Sequence, residues 1–461
     1  MYFKNQKFLV AGMSKSGAAA CDFLLRRGAV VYMYDDVADG AVKSTMRELE
    51  IRGANPVPQG GLTAAIDDCD VLVLSPGIPI DHEIPVAFRK KGKRIIGESE
   101  LGCMFLRAAL VAVTGTNGKT TTVTMIDEVL RAAGEKSCAC GNIGVPLSAK
   151  TDELGYDDVA VMEVSSFQLE TLSSIRPHVA VITNIAEDHL NRHYNMENYI
   201  FLKSKLLRNM RESEYAVLNY DDPVVRGFAK DVRCPVRWFS VKERAEGAYL
   251  YEGGLYYENE KIMDASALSM KGEHNVKNAL ACICACKLLG VDSKTIADAL
   301  SKMRGVRHRI EFVAEVDGVT YIDDSKGTNV DATITAVNSM QADTVLLLGG
   351  KDKGYDYDKL FSALKNSRAV HAVLYGENRF KLLNGAVRNN YSEVTLCADF
   401  TLAVKIAAMT ARAGQCVLLS PASSSFDSFS GYEERGERFA QIVADLRGNA
   451  DAGVGEENCC E

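Results

Sequence analysis

The chain has no apolar run approaching the ~20 residues a helix needs to cross a bilayer. Its N-terminal stretch MYFKNQKFLVAGMSKSG has no long apolar segment leading to a small-residue cleavage site. These absences predict a protein that is neither inserted in a membrane nor exported. There is also no surplus of positive charge: 53 Lys and Arg stand against 61 Asp and Glu, for a net charge of −8. That balance argues against a nucleic-acid partner or an anionic-membrane surface. Any anionic ligand must be gripped locally, by a few lysines, arginines and helix N-termini. No simple sequence repeat is present. The thirteen cysteines, without an export signal, imply a reducing, cytoplasmic setting. Cys282, Cys284 and Cys286 cannot all face one ion from a helix, so ALACICACKLLG reads as a buried helix and not a metal site.

With 461 residues, 47% of them hydrophobic and 25% charged, the chain has a globular profile too long for one core. The first hundred or so residues alternate strand-like and helix-like segments: KFLVAG, AAACDFLLRRG and AVVYMYDD, with DVLVLSPGI and KRIIG as later strands. This βαβ pattern predicts a twisted, mostly parallel sheet. A second region carries apolar strands that end in polar residues: LVAVTGTNGKTTT, VAVMEVSSFQL, HVAVITNIAEDHLNRH and YAVLNYDD. LYYENEKI and its neighbours suggest a few antiparallel strands. A third region, from GVRHRIEF onward, alternates again through VTYIDDSKGT, TVLLLGGKDKG, AVHAVLYGE, VTLCADF and CVLLSPASSSFDSF. The expected boundaries are 1–98, 99–304 and 305–447, with a polar tail at 448–461, including Cys459 and Cys460, expected to be disordered.

The chemistry concentrates at VTGTNGKTTT, between a strand and a helix. The full phosphate-loop template would need glycine at position 113, where this chain has Val113. The shorter form G-T-N-G-K-T still suits a polyphosphate. Glycines turn backbone N–H groups toward phosphate oxygens, the helix N-terminus adds positive potential, Lys119 reaches the distal phosphates and the Thr120 hydroxyl suits Mg²⁺. Glu163 ends the strand VAVMEV, a place for a Mg²⁺ ligand or a solvated strand end. His189 follows VAVITN beside Asp188, where it could meet metal or phosphate. GMSKSG, Gly12 to Gly17, opens the first helix as a dinucleotide fingerprint would, but Ser14 occupies the place of the second glycine. It is either a nucleotide-binding turn, with Asp35 near a ribose, or a tight turn that binds nothing.

Taken together and in this order, TGTNGKTTT, GNIG, EVSSFQLE, TNIAEDHLNRH, GEHNVKNALA, GVRHRIEF and DDSKGTN resemble the Mur ligases, the ATP-dependent amide-forming ligases of peptidoglycan synthesis. IDDSKGTNVDAT, LLLGGKDKG and LLSPASSSFDSFSGYEERG narrow the resemblance to the members that add D-glutamate to UDP-N-acetylmuramoyl-L-alanine. The resemblance implies three α/β domains: an N-terminal Rossmann-like parallel sheet, a central P-loop ATPase-like domain and a C-terminal Rossmann-like domain. It implies ATP and two Mg²⁺ ions, small-molecule substrates, a monomer, and an acyl-phosphate route to the amide.

Residue by residue, the resemblance places ATP against Gly115, Thr116, Asn117, Gly118, Lys119, Thr120 and Thr121, with Asn278, Arg309 and Asp324. It assigns Thr120 and Glu163 to the first Mg²⁺, and His189 to the second. A CO₂-derived carbamate on a lysine four residues after a tyrosine would complete the second site, which selects Lys203 after Tyr199, with Lys205 a nearby rival. Without the resemblance, Lys203 would read as a solvent-facing helix lysine. The UDP-bearing substrate would meet Ser14, Lys15, Ser16, Asp35, Ser75, Gly77, Asn142 and His189. D-Glutamate would draw on Lys326, Thr328, Lys353, Ser425 and Tyr432, lysines and hydroxyls that suit two carboxylates; Tyr432 replaces an often-seen phenylalanine. The rival readings are a folylpolyglutamate synthetase, a P-loop NTPase switch and, from the first region alone, a nicotinamide oxidoreductase.

Overall fold

The computed structural model describes residues 2–36, 40–303 and 305–453, with side chains described as far as residue 447. The chain forms two compact units. The first comprises Met1–Ile185 and Arg192–Met303; the second comprises Ala186–Asn191 and Arg304–Glu461.

The first unit holds two sheets. The five-stranded one is parallel throughout, in the order Asn55–Pro56, Val30–Tyr34, Lys7–Ala11, Val71–Leu74, Arg94–Gly97. Its inner strands Lys7–Ala11 and Val71–Leu74 are buried on both faces, as a parallel sheet with helices on each side requires. Val10, Val31 and Val73 pack on Phe23 and Leu24 of the helix Lys15–Arg26. Leu9, Leu72 and Leu74 pack on Ile84 and Phe88 of the helix Glu83–Lys90.

The nine-stranded sheet runs Glu260–Asp264, Gly254–Tyr257, Gly247–Tyr251, Val236–Ser240, Tyr215–Asn219, Val179–Ile182, Ala109–Thr114, Val159–Glu163, Ser137–Gly141. The strands from Gly247–Tyr251 to Ser137–Gly141 are parallel, and the other two add antiparallel pairs, as LYYENEKI suggested. The helix Glu273–Leu288 buries Cys282, Cys284 and Cys286 completely, so these thiols are core groups.

The second unit is built on a six-stranded sheet, in the order Glu311–Val316, Val319–Asp323, Cys416–Leu419, Thr344–Gly349, Ala369–Tyr375, Val394–Leu396; only the Glu311–Val316 pairing is antiparallel. Its last helix runs Tyr432–Gly453. That helix takes in residues 448–453 of the segment expected to be disordered. The rest of that expected tail, with Cys459 and Cys460, lies outside the described residues. No helix among the described residues is long and apolar enough to cross a membrane.

Candidate active site

In each sheet the residues singled out from the sequence gather at the carboxyl ends of parallel strands, where an open α/β sheet leaves its crevice. In the nine-stranded sheet, the strand Ala109–Thr114 runs into Gly115–Gly118 and then the helix Lys119–Ala132. Gly115 (φ +143°) and Gly118 (φ +84°) take conformations that side chains resist; a Cβ at Gly115 would strike Thr183, and one at Gly118 would strike Asn278. The loop is fastened from beneath. Thr116 N–H donates to Asn184 O (2.8 Å) and Asn117 N–H to Asn184 Oδ1 (2.9 Å), while Thr183 Oγ1 donates to Asn117 O (2.6 Å). Thr122 Oγ1 donates to Asn278 Oδ1 at 3.4 Å, and Thr121 is buried. Lys119 curls over its own loop, its Nζ donating to the carbonyls of Gly115 (3.0 Å) and Thr116 (2.7 Å). A glycine loop, a lysine and the N-terminus of the helix Lys119–Ala132 form a cradle that fits a polyphosphate.

Glu163 is 2% exposed, so it is not a solvated strand end. Its Oε2 accepts from Thr120 Oγ1 (2.7 Å) and its Oε1 from Asn142 Nδ2 (2.8 Å). The Asn142 N–H also donates to Glu163 O (2.9 Å). Three residues far apart in sequence thus meet at one carboxylate. A hydroxyl and a carboxylate oxygen side by side form a hard-oxygen donor set that fits Mg²⁺.

Lys203, on the helix Met196–Ser204, is 1% exposed and donates from Nζ to Gly115 O at 2.8 Å. Its ammonium lies 4.7 Å from the centre of the Tyr199 ring, whose hydroxyl is 3.0 Å from Thr116 Oγ1. The solvent-facing reading of this lysine is therefore wrong. Lys205 points elsewhere, to the carbonyls of Leu169 and Glu170, and burial lowers its pKa. A histidine that the sequence reading passed over, His193, is buried here, with Nε2 3.0 Å from Ser166 Oγ and Nδ1 3.5 Å from Glu170 Oε1.

At the five-stranded sheet, Gly12 (φ +84°) lies so close to the Ser75 turn that a Cβ on it would fall 2.6 Å from Ser75 Cβ. Asp35 Oδ2 accepts from Met13 N–H (2.7 Å), bracing the same loop. Ser14, at the N-cap of the helix Lys15–Arg26, makes no side-chain capping bond; Ser14 and Lys15 are exposed and Ser16 half-buried. Ser75, Gly77, Asp35 and the Ser14–Ser16 corner thus share one edge.

The second unit contains the segment with His189 (φ +56°), whose Nε2 lies 3.5 Å from Asp188 Oδ2. Asp188 is buried and belongs to a network missed in the sequence: it accepts from Tyr355 OH and from Asn329 Nδ2 (3.2 Å), with Lys353 Nζ at 3.5 Å. Lys353 Nζ also donates to Thr328 O (3.1 Å) and Tyr355 OH (3.4 Å). Lys326 Nζ donates to Tyr432 OH (3.0 Å) and sits over its ring. Asp324 is wholly buried; its Oδ2 accepts from Ser420 Oγ (2.7 Å) and its Oδ1 lies 3.5 Å from Arg309. Burial raises its pKa to about 6, with Arg309 pulling the other way. Ser425 is buried and its carbonyl accepts from Ser428 and Phe429 N–H. Arg435, also missed, is fully buried and ties three motif loops together through Ser325, Ser423 and Gly349. The YEERG motif was the available signal, but nothing local says that one of its charges is buried.

Comparison with known proteins gives three family matches: the Mur ligase MurD-like N-terminal domain at residues 6–97, the Mur ligase middle domain at 113–286, and the Mur ligase glutamate ligase domain at 308–423. A UDP-N-acetylmuramoylalanine–D-glutamate ligase of Thermoanaerobacter sp. (strain X514) is 40% identical over 454 residues, covering 97% of this chain and 100% of the relative. A protein of the same name from Pelotomaculum thermopropionicum is 41% identical over 450 residues, covering 96% of this chain and 99% of the relative. Among solved structures, the UDP-N-acetylmuramate-alanine ligase MurC of Thermotoga maritima aligns with a TM-score of 0.62 at 20% identity, covering 95% of this chain and 99% of that one. MurF of the same organism, in complex with ADP, aligns at 0.58 and 17%, covering 98% and 96%. At such identities the structures speak to the fold alone.

Proposed function

The chain belongs to the Mur ligase family, and from that premise we propose how its residues carry the reaction. It is an ATP-dependent ligase that adds D-glutamate to UDP-N-acetylmuramoyl-L-alanine in peptidoglycan synthesis, the activity named in relatives that match it along nearly their whole length.

A carboxylate is a poor electrophile, so the alanyl carboxylate first attacks the γ-phosphorus of ATP and ADP leaves. The amine of D-glutamate then attacks the acyl carbon, and the tetrahedral intermediate expels phosphate to leave the amide. The first step brings two anions together, so local positive charge has to offset their repulsion. Lys119 and the N–H groups of Gly115–Thr121 grip the phosphates. Thr120 and Glu163 would hold one Mg²⁺, and His189 and a carbamylated Lys203 would serve a second; such ions would neutralise phosphate charge. Asn142 orients Glu163 and borders the muramoyl substrate. Asn278, Arg309 and Asp324 serve the nucleotide. The N-terminal region to residue 98 takes the UDP moiety through Ser14, Lys15, Ser16, Asp35, Ser75 and Gly77. The region 305–447 takes D-glutamate through Lys326, Thr328, Lys353, Ser425 and Tyr432, and the chain works as a monomer.

The observation that carries this reading is the meeting of Thr120 and Asn142 on the buried Glu163 carboxylate beside the glycine loop. Phosphate release from ATP with UDP-N-acetylmuramoyl-L-alanine, one amino acid at a time, tests it. Release that needs D-glutamate and is absent with L-glutamate or L-lysine supports it. Release without any amino acid, or release with folate in place of the muramoyl substrate, contradicts it.

A further inference from the structure

We propose that Arg192 is a positioning residue for the muramoyl substrate, fixing the Ser75–Ile78 turn to the nine-stranded sheet; this rests on the reading of that turn as a substrate contact. Arg192 follows Asn191, at the point where the chain re-enters the first unit. Its side chain is only 11% exposed, and each guanidinium nitrogen donates. On one side it grips the Glu170 carboxylate with two bonds, Nε to Oε1 (3.0 Å) and Nη2 to Oε2 (2.6 Å), the bidentate geometry that fixes a guanidinium's plane. On the other it donates to three consecutive carbonyls, Pro76 (3.3 Å), Gly77 (3.4 Å) and Ile78 (2.9 Å). The Phe167 ring lies 4.8 Å from the guanidinium carbon. A second tie runs beside the first: Tyr194 OH donates to Asp81.

Gripping carbonyls decides where the N–H groups point. In a trans peptide the C=O and the following N–H lie on opposite sides of the plane. Arg192 on the Pro76 carbonyl therefore turns the Gly77 N–H away from the guanidinium. Ile78 N–H is consumed inside the turn by Ser75 O (3.0 Å), whereas no group among the described residues accepts from Gly77 N–H. Gly77 is exposed, and a Cβ on it would meet nothing within 4 Å. A charge-held turn presenting one open donor is suited to an anionic or carbonyl oxygen of the substrate. Arg192 thereby couples the edge that takes the UDP moiety to the helix Ser166–Thr171, where Glu170 lies, in the domain of the phosphate loop. A uniform surface tie would not need three carbonyls and a bidentate carboxylate.

The test is a set of steady-state constants for all three substrates in the full chain, for Arg192→Lys, Arg192→Ala, Tyr194→Phe and Gly77→Ala, with melting temperatures. A lysine cannot span carboxylate and carbonyls at once. Arg192→Lys is expected to raise KM for the muramoyl substrate about tenfold while KM for ATP and D-glutamate and kcat stay within about twofold. Tyr194→Phe shifts the same constant less and serves if Arg192→Ala does not fold. The inference is overturned if Arg192→Lys leaves that KM unchanged, or raises all three alike with a lower melting temperature, as a general structural role would. Gly77→Ala separates the two layers. If it raises the muramoyl KM while Arg192→Lys does not, the role of Arg192 alone falls. If neither Gly77→Ala nor Arg192→Lys moves the muramoyl KM, the turn is not a substrate contact and both readings fall.

Discussion

Thr120 Oγ1 lies 2.7 Å from Glu163 Oε2, a hydroxyl from the helix after the glycine loop meeting a carboxylate from the neighbouring strand. These two oxygens are the ligands of the first Mg²⁺ in the proposed mechanism. Glu163→Gln keeps the shape and the bond to Asn142 but removes the charge that binds the ion. It is expected to lower kcat at least about 100-fold and to raise the Mg²⁺ concentration for half-maximal rate. A titration of rate against Mg²⁺ checks this; an unchanged Mg²⁺ requirement would remove Glu163 from the metal site.

The two neighbouring lysines make opposite predictions. Lys203 is buried against Gly115 O, whereas Lys205 reaches away to Leu169 and Glu170. Lys203→Arg keeps a cation but cannot carry a carbamate, and should lower kcat by about two orders of magnitude or more, in line with loss of a metal ligand. Lys205→Ala should stay within about tenfold of the parent, the range expected of packing near a site and not of lost chemistry. Parallel assays at saturating bicarbonate read the difference.

Tyr355 supports the Asp188–Lys353 ion pair (3.5 Å) from both sides: its hydroxyl donates to Asp188 and accepts from Lys353. Tyr355→Phe removes this hydroxyl, leaves a buried carboxylate short of a donor and loosens the hold on Lys353. An expected outcome is a rise of about three- to tenfold in KM for D-glutamate with KM for ATP unchanged, together with a lower melting temperature. Kinetics with D-glutamate varied at fixed ATP test it.

Asp324 gives a pH signature. Burial lifts its pKa from an ordinary value of 3.8 to about 6, so the folded protein holds this proton more tightly than the unfolded chain. Its contribution to stability is present below pH 3.8 and is lost as the pH rises through about 6. Asp324→Asn, which stays neutral, should therefore gain stability relative to the parent between pH 4 and 7, by up to about 3 kcal/mol, while losing nucleotide affinity. Denaturant unfolding at several pH values measures the difference; a constant gap would contradict it.

The strand ends were legible because apolar runs such as VAVMEV stop at a polar residue, and that pattern alone puts Glu163 at a strand's carboxyl end. The glycine loop was legible because its residue types are dictated by backbone geometry. Partnerships across long sequence separations were not. Nothing local links Asn142 to Glu163, Tyr355 to Asp188, or Arg192 to Pro76. Lys203 reads as a surface lysine because MENYIFLKS has no clear apolar stripe, and only the fold buries it. Arg435 was hidden for a related reason: a charged residue in a glutamate-rich helix start reads as exposed, yet it lies among backbone carbonyls that satisfy it.

The central claim is that the alanyl carboxylate is phosphorylated before the amide forms. It is tested most directly with UDP-N-acetylmuramoyl-L-alanine carrying ¹⁸O in that carboxylate, by following the oxygen into inorganic phosphate by mass spectrometry. An acyl-phosphate route transfers one labelled oxygen to each phosphate released, in step with D-glutamate incorporation. Unlabelled phosphate accompanying full product formation would contradict it.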